Sequence, residues 1–281
     1  NGCTIDRLKW KMGTSELPTA EMTFNGALAY PVGSFDRGLA NIVGIVLTYS
    51  RLTVGLSSAA SMTRAAREAR LYSEFREAFG QSLGRYPMVA AQIGDLEKTA
   101  KRTTAAAFKI YQAFMQLDGA VKVGINRREE LGARCRRFDV RELVMLQKIT
   151  ASWDTVDHVR LAMSLFGGHG VMEDFSALPR LYRDAAVNEL WEGPRNVLLA
   201  QIHRDLQQVQ DWYSPADFVA GILEGAESRH IGEFQKEIAM LIGLDLLSNS
   251  EAAVQACRQW DDFCHRLFHA YQDQALADIY R

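Results

Sequence analysis

Proline is scarce in this sequence: six residues in 281, at positions 18, 31, 87, 179, 194 and 215. None falls in the 91 residues between Pro87 and Pro179, so the strongest helix breaker is missing from the middle of the chain. Cysteine is scarcer still. Cys3, Cys135, Cys257 and Cys264 show neither a CxxC pair nor a disulfide framework, and they are expected to be reduced thiols of a cytoplasmic protein. No uninterrupted apolar run approaches the roughly 18 residues that a membrane helix needs, which argues against a membrane partner. No charged-then-apolar leader opens the sequence, so secretion is not expected. Internal repeats and low-complexity stretches are also missing.

The composition that remains is 48% hydrophobic and 23% charged, which excludes a disordered or a collagen-like chain. The length allows one large domain or two small ones. Net charge is −2 but unevenly spread. From Asp205 to Arg281 there are 13 acids and 5 bases, a balance of −8, and the rest carries 27 bases and 21 acids, a balance of +6. Such a bipolar chain has two parts with different partners, or two parts that face each other. Neither part is basic enough to imply nucleic acid.

Two periodicities divide the chain. Thr19 to Phe24 alternates polar and apolar residues, Asn25-Gly26 is a hairpin signal, and Ala27 to Tyr30 is expected to be the returning strand. Two short strands are not stable alone, so this start is expected to be the end of a larger sheet. From Asp36 the period becomes helical. Helices are expected over about 38–75, 88–117, 140–166, 179–190 and 195–211, with a glycine-rich loop at 167–170 and two or three helices after Pro215. Glycines and arginines over 118–138 predict a break. Cys257, Trp260, Cys264, Leu267 and Tyr271, three and four apart, form one apolar stripe. The pattern predicts a mainly α fold, a long antiparallel helical bundle with a short β segment before it and a helical tail after it.

The residues with most chemical content lie between Leu178 and Val197. Glu192 stands between Trp191 and Gly193 at a break between two helices, and Pro194 suits the first position of the second helix. A carboxylate on a short, stiff corner can serve as a general base; a glutamate in an ordinary surface turn would look the same.

Motifs around this corner resemble a known family. Phe166-Gly-Gly-His-Gly170, Pro179-Arg-Leu-Tyr-Arg-Asp184 and Trp191-Glu-Gly193 are similar to the C-terminal helical domain of acyl-CoA dehydrogenases. Upstream, Arg76-Glu-Ala-Phe-Gly80, Gln92-Ile-Gly-Asp-Leu96 and Arg51 in Ser-Arg-Leu-Thr-Val-Gly55 follow in the family's order. Lys11 to Phe24 looks like the last strands of the family's middle β-domain, and the long tail resembles the AidB-type branch. The resemblance implies three parts: 1–35, a remnant of the β-domain; 36–211, the helical domain; and 212–281, an extra helical tail.

It also implies a function: an FAD-dependent enzyme that desaturates acyl-CoA thioesters, with Glu192 as catalytic base and Arg51 and Gly193 at the substrate. Arg76, Phe79, Gly80, Gln81, Gly168 and Asn196 would contact FAD, Arg76 reaching the flavin of a neighbouring subunit. Arg51 and Arg76 are 25 residues apart on one helix, roughly 37 Å at 1.5 Å per residue, so they cannot share a compact site. A homodimer or homotetramer and an electron-transfer flavoprotein as electron acceptor are implied as partners. Read as a fragment of a longer enzyme, the chain would be inactive alone and hold FAD weakly or not at all. The alternative is an AidB-type flavoprotein that protects DNA or oxidises a non-CoA substrate. The acidic tail argues against DNA, and the retained Glu192 favours dehydrogenation.

The sequence departs from the family at Ser164, where many members have glutamine, at Pro194, where threonine is usual, and at Thr48, where several have an acid. The Gly-His-Gly segment follows a helix, which rejects a dinucleotide-binding fingerprint, and His169 is expected to cap or pack. Arg127, Arg128, Arg134, Arg136, Arg137 and Arg141 could meet CoA phosphates, DNA or the acidic tail, with a solvated loop as the default. Asp261, His265 and His269 share one helix face, but without a fourth ligand no metal is expected.

Overall fold

The computed structural model describes residues 2–119, 123–125 and 127–281. The break predicted over 118–138 therefore falls in part, at 120–122 and 126, outside the described residues.

The chain opens with β1 (Cys3–Leu8) and β2 (Ala20–Phe24), paired antiparallel with Cys3 opposite Phe24 and Leu8 opposite Ala20. This corrects the expected hairpin. Gly26 does adopt a turn conformation at φ +65°, but the strand at 20–24 pairs backwards with 3–8, and residues 27–30 form no strand. After a 3₁₀ turn at Phe35–Arg37 come α1 (Gly38–Asn41), a π-helical segment (Ile42–Val46) and α2 (Leu47–Phe75), wound one into the next. A small hairpin follows, β3 (Glu77–Ala78) and β4 (Gln81–Ser82). The remaining elements are α3 (Pro87–Met115), α4 (Leu131–Leu165), a 3₁₀ turn at Gly167–Val171, α5 (Leu178–Leu190), α6 (Arg195–Val209), α7 (Pro215–Ile222), α8 (Ser228–Leu241) and α9 (Glu251–Ile279).

Helix α4 starts nine residues before the predicted position of 140. Gly132 lies in its first turn, where a glycine costs little, and the arginines that suggested a loop are good helix formers.

Helices α2, α3 and α4 form the body. The alanine-rich half of α2 is its buried face: Ala59, Met62, Ala65, Ala66 and Ala69 are all under 5% exposed. Small side chains let α4 approach closely. At Gly55 a Cβ would lie 1.8 Å from Gln147 Nε2, so no larger residue fits there. The contacts Leu52–Gln147, Met62–His158 and Tyr72–Phe166 advance together along both chains, so α2 and α4 run parallel, with α3 antiparallel beside them. By length and composition the helix Ile42–Phe75 could cross a membrane. Its apolarity also suits a core helix, because it packs extensively on α3 and α4 and buries Arg51.

The tail folds onto this body as three helices. Ser214 and Ser250 cap α7 and α9 by accepting the backbone N–H groups of Asp217 and Ala253. On α9 the predicted stripe is buried at Trp260, Cys264, Leu267 and Tyr271, while Cys257 lies outside it, exposed. Trp260 Nε1 donates to the Leu199 carbonyl at 2.9 Å, and Gln272 Nε2 to Thr103 Oγ1 at 3.1 Å.

Phe263 is fully buried between Trp260 and Phe234, with ring centroids 5.5 and 5.8 Å away. Phe263→Ala is expected to cost about 3–5 kcal/mol, as core phenylalanine truncations do. Urea unfolding measures this; a loss under about 1 kcal/mol would contradict the packing of the tail.

Candidate active site

The junction between α5 and α6 is a strained corner. Glu192 has φ +63° and Gly193 φ +100°. Only glycine adopts this region freely, and a glutamate there costs about 1–3 kcal/mol. A Cβ on Gly193 would come within 3.1 Å of Leu198 and 3.5 Å of the Arg51 guanidinium. Pro194 stands one residue before α6 as its cap rather than in its first turn, which corrects the sequence reading, and Arg195 is the first helical residue.

Two buried cations hold this corner. Arg51 Nε donates to the Glu192 carbonyl at 2.9 Å. Lys148 Nζ donates to the carbonyls of Glu189 at 2.8 Å and Gly193 at 2.6 Å. Hydrogen bonds from charged donors contribute about 1.5–3 kcal/mol each, so three of them outweigh the strain. Lys148 is fully buried, and burial pushes its ammonium down to about 8. Burial also lowers Arg51 from its ordinary value, while the neighbouring Glu192 works in the other direction. The Oε2 atom of Glu192 is buried and has no hydrogen-bond partner. An orphaned carboxylate oxygen beside two buried cations is a costly arrangement, of the kind found at functional sites.

A cavity of about 200 Å³ adjoins the corner, lined by Val43, Thr48, Arg51, Arg141 and Met145 among others. Behind it Glu142 is fully buried with neither oxygen hydrogen-bonded; burial pushes its carboxyl well above the usual range, against the opposing pull of Arg141 3.6 Å away. Lys148 and Glu142 were not singled out from the sequence. Their signal was there: charges bracketing the apolar run Leu143 to Leu146 on a helix without proline.

Of the residues expected to act, the structure brings Arg51, Glu192 and Gly193 together. Arg76, Phe79, Gly80 and Gln81 lie past the other end of α2. Phe79 and Gly80 are the two-residue turn of the β3–β4 hairpin, both at positive φ, and Phe79 is 99% exposed. Gly168 sits at that same end, on the 3₁₀ turn after α4, with nothing within 4 Å of where a Cβ would be. Tyr72 ties the two features, stacking on Phe166 at 4.1 Å and sharing a 2.9 Å hydrogen bond with His169 Nδ1. His169 also stacks on Phe175, so it packs, as expected. Asn196 is exposed in the first turn of α6, where its Oδ1 accepts from Val197 N–H at 3.0 Å.

The arginine cluster is a solvated loop only in part: Arg127 and Arg128 lie exposed in a turn, whereas Arg134, Arg136, Arg137 and Arg141 stand on α4. Arg141 pairs with Asp205, Arg127 with Asp211 at 3.9 Å, and Arg134 lies 4.4 Å over the Trp212 ring, so it meets the start of the acidic tail. Asp261 binds Arg195 at 2.7 Å and stands apart from the two histidines it was grouped with; Asp154 of α4 takes that place.

The family model for the acyl-CoA dehydrogenase C-terminal domain matches residues 36–207. Acyl-CoA dehydrogenase family member 11 of Caenorhabditis elegans is 33% identical over 204 residues, covering 73% of this chain and 31% of that protein. AidB of Escherichia coli is 27% identical over 214 residues, covering 74% of this chain and 36% of that protein. The crystal structure of C. elegans ACDH-11 in complex with C11-CoA matches with a TM-score of 0.73 at 25% identity, over 98% of this chain and 46% of that one. An acyl-CoA dehydrogenase of Bacillus anthracis complexed with FAD gives 0.72 at 16% identity, over 98% and 48%, a likeness of fold. The chain thus spans about a third of the length of these curated relatives and about half of these structures.

Lys148 makes stability depend on pH. Between about 8 and 10.5 the lysine of the unfolded chain still binds a proton that the folded one has released. Stability against unfolding should therefore rise with pH across that window, by at most about 3 kcal/mol. Lys148→Met should flatten this rise in chemical unfolding measured at pH 8 and above; equal slopes in both proteins would show that Lys148 does not titrate there.

Proposed function

This chain belongs to the acyl-CoA dehydrogenase family, and we propose that it is the C-terminal part of a flavin-dependent enzyme that desaturates the α,β bond of an acyl-CoA thioester, with Glu192 as the base. The reading rests on one observation above others. Glu192 combines a backbone in the left-handed region, a carbonyl held by Arg51 and a buried, partnerless carboxylate oxygen.

The residues fit the cofactor that the family implies. Gly80 and Gly168 leave open space beyond their Cα atoms, and the side chains of Arg76 and Phe79 are exposed on the β3–β4 hairpin. In this reading Arg76, Phe79, Gly80 and Gln81 hold FAD across a subunit boundary, and Gly168 and Asn196 complete its site. FAD, when bound, accepts the hydride that leaves the β-carbon. Glu192 takes the proton from the α-carbon and becomes a neutral acid as the carbon–carbon double bond forms. Its corner fixes the carboxylate against the α-carbon, the kind of positioning that lowers a barrier without new chemistry. Arg51 lines the neighbouring cavity and Gly193 gives the substrate room beside it. The assembly is a homodimer or homotetramer in the cytoplasm, and an electron-transfer flavoprotein reoxidises it. The pairing of Arg137 and Arg141 with Glu129 and Asp205 reduces the basic surface that the DNA-binding reading would need there.

Glu192→Gln preserves size and removes the basic site. In the full-length protein, single-turnover bleaching of the flavin by an acyl-CoA should slow by at least about a hundredfold, the lower range for a general base, with flavin content and melting temperature nearly unchanged. Rates that agree within about threefold would reject Glu192 as the base.

Arg76→Ala should weaken FAD binding by roughly 10- to 100-fold, the worth of a charge-assisted hydrogen bond, while leaving the melting temperature of the flavin-free protein unaltered. Equilibrium dialysis decides; unchanged FAD affinity would remove Arg76 from the cofactor site.

A further inference from the structure

We propose that Asp154, His265 and His269 form a zinc site that fastens the tail helix α9 to α4. Three ligand atoms from two helices converge there. His269 Nε2 lies 2.6 Å from Asp154 Oδ2, His265 Nε2 3.2 Å from Asp154 Oδ1, and the two Nε2 atoms are 3.1 Å apart. Around a tetrahedral zinc with bonds of about 2.0–2.1 Å, neighbouring ligand atoms stand about 3.3 Å apart. The two Nε2 atoms, and the Asp154 carboxylate that meets one ring through each of its oxygens, therefore stand at about the spacing of neighbouring zinc ligands. His265 and His269 are one helical turn apart, which keeps both rings on one side of α9.

The hydrogens of these groups account for the two contacts with Asp154 but not for the approach of the two rings. With Asp154 ionised, each ring must present an Nε2–H to meet the carboxylate. The two N–H groups then oppose each other across 3.1 Å. If either ring carries its hydrogen on Nδ1 instead, a nitrogen lone pair faces a carboxylate oxygen. No placement of the ring hydrogens satisfies all three edges, whereas a cation at the centre satisfies every one. Two imidazoles and a carboxylate are a set that zinc takes, shared with iron(II), and it leaves a fourth position. That position can open on the adjoining cleft of about 370 Å³, whose walls include Asp95, Thr99, Asp157 and His269.

The surroundings are consistent with a cation. The side chains of both histidines are 28% exposed, so a metal can enter without unfolding. Arg195 meets the Nδ1 edge of His265 at 3.5 Å and is held by Asp261; zinc on Nε2 leaves the ring hydrogen on Nδ1, so metal binding turns this guanidinium further onto Asp261. Arg160 and Arg102, which also line the cleft, are drawn to Asp157 and Asp273.

The test uses the whole chain, stripped with a chelator and titrated with zinc chloride, with bound metal measured after equilibrium dialysis. One equivalent should bind and raise the melting temperature. Cobalt(II) in place of zinc should show the visible bands of a tetrahedral site. His269→Ala and Asp154→Asn should each weaken binding by at least about 10- to 100-fold, since even the loss of an outer partner of a metal ligand costs that much. Asp261→Asn should bind as wild type, which separates this site from one confined to α9. Far-UV circular dichroism of each metal-free variant establishes that it is folded. The proposal is overturned if wild type takes up no zinc, or if the equivalent persists in a folded His265→Ala/His269→Ala double variant, which would assign the metal to the free thiols.

Discussion

Two buried cations set the shape of this molecule's most unusual corner. Lys148 and Arg51 come from the middle of α4 and the first turns of α2, and they meet the backbone where α5 gives way to α6. Lys148 is met by two carbonyl oxygens and Arg51 by one, with the Glu192 carboxylate nearby, and these carbonyls converge where the chain turns sharply. The turn places Glu192 in the left-handed region and makes Gly193 obligatory. The same turn sends α6 away at the angle at which Arg195 reaches Asp261 and the Ile149 carbonyl. Through Trp260 and the Leu199 carbonyl the tail is then fixed to α6. The strained corner and the docking of the tail thus share one support.

Strain is distributed between two ends of the bundle in opposite ways. At Glu192 it is compensated inside the chain by charged hydrogen bonds. At Phe79 the backbone is just as unfavourable, φ +50°, yet the ring is almost fully exposed. The Tyr86 hydroxyl donates to the Ala78 carbonyl at 2.8 Å, which steadies the hairpin, but among the described residues none covers the ring. A strained, exposed aromatic makes physical sense when the contact that offsets it lies on another molecule, which is how the proposed cofactor site uses it. The length of α2, on the order of 37 Å between Arg51 and Arg76, keeps the two ends chemically separate within one chain.

Local pattern made most of the helices legible, because a 3.6-residue period needs no knowledge of distant partners. It failed where a distant partner decides. The strand at 20–24 pairs with 3–8 instead of the segment that follows Asn25-Gly26, since pairing depends on which neighbour offers a ladder and not on the turn signal alone. The start of α4 was hidden by Gly132 and by arginines that look like a loop until their acidic partners are known. Glu192 could be named from its motif, but the lysine that holds its corner lies 44 residues earlier, just past an apolar run that reads as simple core. Asp154 is 111 residues from His265, so a sequence pattern could offer only Asp261, which faces Arg195 instead.

The uneven charge of the sequence has its explanation in the same long-range contacts. The acidic segment after residue 204 meets bases of the body one by one: Asp205 with Arg141, Asp211 with Arg127, Asp261 with Arg195, Asp273 with Arg102 and Asp278 with Lys109. The two parts face each other, one of the alternatives the charge pattern left open. Charge is nevertheless not what attaches the tail. Exposed ion pairs contribute about 0–1 kcal/mol, and several of these pairs are half open to water. A fully buried large apolar side chain contributes about 1.5–3 kcal/mol, and α9 buries Trp260, Phe263, Leu267 and Phe268 to within 1%. Apolar burial therefore supplies the attachment. The ion pairs, spread along α9 against α3 and α6, fix its position along the body, because a shift by one turn would break several of them together and leave Asp154 without its two histidines.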